Sequence, residues 1–401
     1  MKKLNIPRVN LHPASCKYLK LGHPWITDDS YTKKFPQNSF FLIGVDEKSK
    51  QEIALILHDP EHKTVKARLW SLDKNEWELN FEEQICQRIK KAIEIRRPLL
   101  IERENVFLIN AESDQLPGLL IQLLKNEIMI QYYAFFWKKY EHLIVETLKI
   151  ELPNIDTVWI QERNFDQKKS IRSIEGKSSS DFILSEFKLN YQIKINQHYD
   201  FGIYSDMSAI RKAMRPYLEG KKSLLNLFSY TGAFSVFCLN LDFKQVVSVD
   251  LSSKYLAWLD ENIALNPHLN KENHKSLCMP SEKAMSSLIS KGEKFEVIIC
   301  DPPSASSDGN KISNALKSYE NLLLLMLELL DQNNGKIFAY LNTHTISWNK
   351  FEEKLKSIVD SSSYKNRIII GKRFKLSEDC APLKGFHEGD YLKGFLLEFK
   401  K

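Results

Sequence analysis

"LLNLFSYTGAFSVF" occupies residues 224–237. Leu224 to Phe228 is an apolar run of strand length. Ser229, Tyr230, Thr231 and Gly232 form a tight turn, and the apolar residues after it open a helix. A strand that turns at glycine into a helix is the first unit of an alternating fold. The alternation continues downstream. Strand-like runs at Val246–Val249, Ser276–Met279, Val297–Cys300 and Lys336–Leu341 are separated by helical patterns. This predicts an α/β domain built on a mostly parallel, doubly wound sheet.

In such sheets ligands bind beyond the carboxyl ends of the strands, and an acid ending the second strand grips ribose hydroxyls. Asp250 ends "VVSVD", eighteen residues after Gly232, and Leu251 follows it. The turn has a single glycine, whereas a dinucleotide pyrophosphate wants several for close backbone approach. S-adenosylmethionine carries a ribose and an adenine but no phosphate, so it suits Phe228–Gly232 and Asp250 better. The third strand is followed by Ser281 and Glu282, where an acid can accept from an adenine amino group.

The fourth strand ends in "IICDPPS", residues 298–304. Proline lacks an N–H, and the residue before it is pushed toward extended geometry. Asp301, Pro302 and Pro303 therefore predict a stiff, acceptor-rich rim able to hold a planar base. Cys300 ends a continuous apolar run, where a cysteine behaves as a small hydrophobe. The adjacent Asp301 disfavours a thiolate.

Upstream, short β-like runs (Phe40–Val45, Ile53–Leu57, Val65–Trp70) predict a small β-barrel over residues 1–75. Residues 76–183 read as an α+β piece: a helix at Phe81–Ile95, strands at Val106–Asn110, Leu119–Leu123 and Glu127–Tyr133, a helix at Trp137–Leu148, and a strand at Thr157–Gln161. Arg163–Asp181 is polar and reads as a linker or exposed hairpin. The alternating domain fills residues 184–401. The net charge is +6, and residues 1–75 hold 13 Lys/Arg against 8 Asp/Glu. A basic module on a nearly neutral body favours an anionic partner. Lys17, Lys20, Trp25, Lys66 and Arg68 are its candidate contacts to a nucleic acid; a surface that only packs on its neighbour is the alternative.

Composition is that of a globular protein, 43% apolar and 27% charged. The longest apolar stretch, Leu322–Leu330, is interrupted by Glu328 and too short to span a membrane. Lys2 and Lys3 have no apolar core behind them, so no signal peptide is expected and the expected location is cytoplasmic. The six cysteines form no CxxC, so neither disulfides nor a metal site is expected.

"GHPW" (22–25), "ARLWS" (67–71), "ESDQLPGLLIQ" (112–122), "FSYTGAFSV" (228–236), "VVSVDLS" (246–252), "KFEVIICDPPS" (294–304) and "EGDYLKGF" (388–395) together resemble bacterial 23S ribosomal RNA 5-methylcytosine methyltransferases. The resemblance covers most of the chain. It implies a PUA-like β-barrel, a central α+β domain and a Rossmann-like class I methyltransferase domain. It further implies S-adenosylmethionine as cofactor, ribosomal RNA as partner, and admits a homodimer. On this resemblance the cofactor residues lie in Phe228–Gly232, Asp250, Leu251, Glu282 and Asp301, the last between donor and target.

Two stretches depart from that pattern. The family carries a Ser-Cys-Ser element whose cysteine attacks cytosine C6. Here the matching stretch is "GKIFAYLNTHTIS" (335–347), and an ungapped alignment puts Asn342 at the cysteine's place. A carboxamide forms no such adduct, and without it cytosine C5 is a poor nucleophile. The hairpin before the domain reads "YDFGIYSDMSAIR", keeping Gly202, Tyr204, Asp206 and Arg211. The leading expectation is a methyltransferase acting on a base nitrogen, with Asp301, Pro302, Pro303 and Asn342 at the reacting centre. The alternatives are an RNA-binding protein that has lost catalysis, C5 chemistry through Cys380, or a methyltransferase for a small molecule or protein.

Overall fold

The computed structural model describes residues 6–163, 171–176, 180–195, 201–303 and 313–400. Contacts divide the chain into two compact units, Met1–Ser179 with Asp379–His387, and Ser180–Glu378 with Glu388–Lys401.

The first unit begins with β1 (Arg8–Leu11), α1 (Pro13–Lys20), β2 (Trp25–Thr27), β3 (Phe41–Asp46), β4 (Glu52–His58) and β5 (Val65–Ser71). They form a sheet in the order β1-β3-β4-β5-β2. The three longer strands match the expected runs. The period-2 alternation of β4 serves two cores. Ala54 and Ile56 pack with Leu11, Leu19 and Leu42. Leu55 and Leu57 pack with Ile85 and Ile89 of α2 (Phe81–Arg96) and with the next sheet. That sheet runs β10-β9-β8-β7-β6, from β6 (Asn105–Asn110), β7 (Leu119–Leu124), β8 (Glu127–Tyr132), β9 (Thr157–Glu162) and β10 (Ile171–Glu175).

One expectation is revised here, and the hairpin alternative for the polar segment is met. The second helix, α3 (Glu141–Glu151), starts later than Trp137, because Phe135–Tyr140 is a 3-10 stretch anchored by the Trp137 indole on the Pro117 carbonyl at 2.9 Å. Within the polar segment 163–181, β10 pairs antiparallel with β9, while residues 164–170 and 177–179 lie outside the described residues. Residues 379–387 complete this unit. Asp379 is buried, pairs with Arg103 at 2.7 Å and accepts from the Phe107 amide at 2.9 Å.

The second unit opens with the hairpin β11 (Asp181–Glu186) and β12 (Leu189–Lys194), then α4 (Ser208–Leu218); residues 196–200 between them lie outside the described residues. A buried bidentate pair, Arg211 to Glu186 at 2.6 and 2.7 Å, fastens α4 to the hairpin. The main sheet contains β13 (Ser223–Leu227), β14 (Gln245–Asp250), β15 (His274–Cys278), β16 (Val297–Cys300), β17 (Lys336–Asn342), β18 (Ile368–Phe374) and β19 (Leu392–Phe399). Its order is β15-β14-β13-β16-β17-β19-β18, with the first five strands parallel and β19 antiparallel to both neighbours. The helices α5 (Ala233–Leu239), α6 (Ser253–Ala264), α7 (Ser281–Ser290), α8 (Ser313–Leu329) and α9 (Trp348–Asp360) connect them. The chain leaves β13 in one direction toward β15 and resumes at β16 on its other side. This is the switch point where doubly wound sheets bind ligands. Among the described residues no helix is long and apolar enough to cross a membrane.

Candidate active site

Because β13 to β17 run parallel, their carboxyl ends share one edge of the sheet. The sequence-predicted residues Phe228–Gly232, Asp250, Leu251, Glu282, Asp301, Pro302, Pro303 and Asn342 all follow or end these strands. The fold therefore brings them to one rim from five separate segments.

The turn after β13 is backbone-driven. Phe228 (φ 56°), Tyr230 (φ 49°) and Gly232 (φ 80°) are left-handed. Two non-glycine residues there store strain that the surroundings must hold. The surroundings do so. The Ser229 amide donates to the Val249 carbonyl at 3.0 Å, and the Tyr230 amide to Asp250 Oδ2 at 2.9 Å. Asn262 donates to the Thr231 carbonyl at 2.8 Å and accepts from the Gln192 amide at 2.8 Å. The Thr231 hydroxyl donates to the Gly202 carbonyl. The Tyr230 ring lies among Tyr204, Tyr255 and Trp258, with centroids 5.1, 4.6 and 6.4 Å away. Gly232 is required twice over: its φ is positive, and a Cβ would collide with Leu259.

Asp301 and its neighbours form the second half. Tyr319 from α8 places its hydroxyl 3.1 Å from the Cys300 carbonyl and 2.6 Å from the Tyr340 carbonyl, tying the ends of β16 and β17 together. Cys300 is fully buried, and burial pushes its thiol far up, with Asp301 adding to it. It packs, as its apolar run predicted. Burial, reinforced by Asp206, pushes the Asp301 carboxyl up to about 7. Asp206 accepts from the Tyr391 hydroxyl at 2.9 Å. Pro302 is buried, while Pro303 and Asn342 are exposed.

A model of the S-adenosylmethionine-dependent methyltransferase family matches residues 155–386, more than half of the chain. The chain belongs to this family. The methyltransferase is also similar to the ribosomal RNA large subunit methyltransferase I of Shewanella frigidimarina, 24% identical over 408 residues, covering 97% of this chain and 98% of that protein. The protein of the same name from Vibrio parahaemolyticus is 26% identical over 390 residues, covering 94% and 96%. The crystal structure of SMU.776 complexed with SAH superposes with a TM-score of 0.85 at 20% identity, covering 98% of this chain and all of that one. The expected α/β fold, with a class I methyltransferase domain after an amino-terminal β-sheet, and S-adenosylmethionine as cofactor are borne out.

The methyltransferase's rim fits this cofactor by its own features. The Ser229 hydroxyl is buried without a hydrogen-bond partner among the described residues, at the strand end where a polar ligand would supply one. Leu251, 70% exposed, presents an apolar face beside Asp250, as an adenine ring requires. Glu282 is exposed in the first turn of α7.

The basic candidates of the first unit separate into two groups. Lys17 and Lys20 are exposed on α1, Lys20 pairing with Asp46 at 3.3 Å. Lys66 is tied to the Pro60 and His62 carbonyls at 3.1 and 2.7 Å. Arg68 is 1% exposed, bonded to Glu112 at 2.8 Å and the Tyr133 carbonyl at 3.2 Å. Half-buried Trp25 donates to the same Glu112 at 2.7 Å. Arg68 is thus an internal strut, and its expected role as an RNA contact is revised on that ground. Cys380 is likewise buried, in the 379–387 segment of the first unit.

Sequence reasoning passed over Asn262 as part of the site. Its available signal was the pair Asn262 and Asn266 one helical turn apart, both bonded to the backbone of β12.

Proposed function

We propose that this methyltransferase modifies a base nitrogen of large-subunit ribosomal RNA. The observation that carries the target atom is the end of β17. There the chain reads Asn342-Thr343-His344-Thr345 and offers a carboxamide at the rim where attack on cytosine C6 would need a thiolate. Within the second unit the described cysteines do not stand in for it. Cys238 and Cys300 are buried with thiols pushed far up by burial, and Cys278 ends β15, at the opposite side of the sheet from β17. The names of the relatives supply ribosomal RNA as the substrate class.

Residues Phe228–Gly232, Asp250, Leu251 and Glu282 would hold S-adenosylmethionine, which supplies an electrophilic methyl group when bound. The rest of the work falls to the chain. Pro302 and Pro303 stiffen the rim and leave carbonyls free to accept from a base edge. Asn342 orients the base through its amide. Asp301, poised near neutrality, accepts the proton that an amino nitrogen sheds on methylation. A nitrogen target needs positioning and a proton acceptor, and no covalent adduct.

Mass mapping of modified nucleotides in ribosomal RNA from cells with and without the protein tests this directly. One methylated nitrogen should disappear with the gene. Asn342→Ala should cut turnover about tenfold or more and leave calorimetric binding of S-adenosylmethionine intact. A trapped covalent protein–RNA adduct, or loss of a C5-methylcytosine alone, would overturn the assignment.

A further inference from the structure

The motif "EGDYLKGF" (388–395) entered the site described so far only through the Tyr391 hydroxyl, yet all of it runs alongside the end of β17. It leads into β19, whose register sets Leu392 opposite Asn342 and Lys393 opposite Leu341. Three of its polar side chains reach three different elements. The Asp390 carboxylate accepts from the Trp348 indole of α9 at 2.9 Å. The Tyr391 hydroxyl donates to Asp206. Lys393, 1% exposed, donates to the Thr343 carbonyl at 2.9 Å and to the Asp390 carbonyl. Gly394 then admits the Tyr340 ring, which a Cβ would meet.

A buried lysine is a costly way to fill a core, because its charge loses water. A methionine would occupy similar volume without that cost. What the ammonium adds is direction: it fixes the carbonyl next to Asn342, where β17 ends and a loop would otherwise wander. Tyr391 does the same for the Asp206 carboxylate, which its hydroxyl holds.

We propose that Tyr391 and Lys393 are positioning residues for methyl transfer, a clamp that from one strand start holds the Asp206 carboxylate and locks the Asn342–Thr343 turn. This rests on the reading that Asp301 and Asn342 face the acceptor base. The clamp acts through Asp206 and the turn, and so on the rate of the bound complex.

The test compares full-length Lys393→Met, Lys393→Arg, Tyr391→Phe and Asn342→Ala with the wild type. The substrate is total ribosomal RNA from cells lacking the enzyme, with S-[methyl-³H]adenosylmethionine as donor. Lys393→Met should lower kcat about tenfold or more while KM for RNA and the calorimetric donor Kd stay within about twofold. Lys393→Arg should recover part of the loss, and Tyr391→Phe should lower kcat several-fold. Adding Lys393→Met to Asn342→Ala should cost little more than Asn342→Ala alone, since both act through one turn. Full activity in Asn342→Ala would sink the underlying reading. Impaired Asn342→Ala beside unimpaired Lys393→Met and Tyr391→Phe would sink the clamp alone. Should Lys393→Met not fold, Tyr391→Phe decides: a raised donor Kd with unchanged kcat overturns the proposal.

Discussion

At the scale of single residues, Asp301 sets a pH dependence. Its carboxyl is raised by burial and by Asp206, with Cys300, Tyr319 and Tyr340 as the other titratable groups around it. A base must be ionised to accept a proton, so kcat/KM should rise with pH through an apparent pKa near 7. Asp206→Asn removes the like charge, so the acid limb should move to lower pH. Asp301→Asn should abolish the limb along with most of the rate. Steady-state profiles from pH 5.5 to 9 (roughly the window spanning that value) check all three; an unmoved limb in Asp206→Asn contradicts the coupling. Asp301 and Cys300 were legible in the sequence because neighbours in the chain define them: an apolar run ending at a carboxylate and two prolines. Asp206 was legible only as a retained residue. Asp301, whose carboxyl it raises, follows another strand, and no local pattern announces that coupling.

At the scale of elements, the inner strands of the parallel sheet were legible because they are buried on both faces and read as largely apolar runs, whereas the edge strand β15, His-Lys-Ser-Leu-Cys, is partly exposed and was legible only from Ser276 onward. Val297–Cys300 matches β16 residue for residue. The short β1, α1 and β2 gave no such run, since they bury only a few residues each, such as Leu11, Cys16, Leu19 and Ile26. The antiparallel insertion of β19 between β17 and β18 was also silent, because strand order is settled by packing and not by any one strand's pattern. The turn at 228–232 is the element most exposed to a single change. Gly232→Ala places a methyl against Leu259 in a left-handed backbone. It should destabilise by about 2 kcal/mol or more in denaturant unfolding, and weaken donor binding about tenfold by calorimetry. An alanine variant with native stability and native donor affinity would mean the turn is not the donor's seat.

At the scale of the whole molecule, the charge asymmetry was legible from counts alone, but its use was not. Of the five basic and aromatic candidates, Lys17 and Lys20 face solvent while Arg68 is spent inside the first unit on Glu112. Arg68→Ala should therefore act on stability, costing about 3 kcal/mol by leaving a buried carboxylate unpaired. Lys17→Ala with Lys20→Ala should leave the melting curve unchanged and lower RNA affinity. Binding should also weaken steeply with salt as counterions are released, and the double variant should show a shallower slope. Filter binding from 50 to 300 mM salt, over which Debye screening shortens to roughly 6 Å, reads this out; a flat response would remove the first unit from RNA recognition.

The return of residues 379–387 to the first unit has a consequence for biosynthesis. A chain emerging from the ribosome completes residues 1–179 long before Asp379 exists, so Arg103 waits through some two hundred further residues for that buried carboxylate. The first unit cannot reach its final form until the second has almost wholly left the exit tunnel. Maturation of the amino-terminal unit is thereby gated by synthesis of the carboxyl-terminal one, and no cut at a single peptide bond yields both units whole.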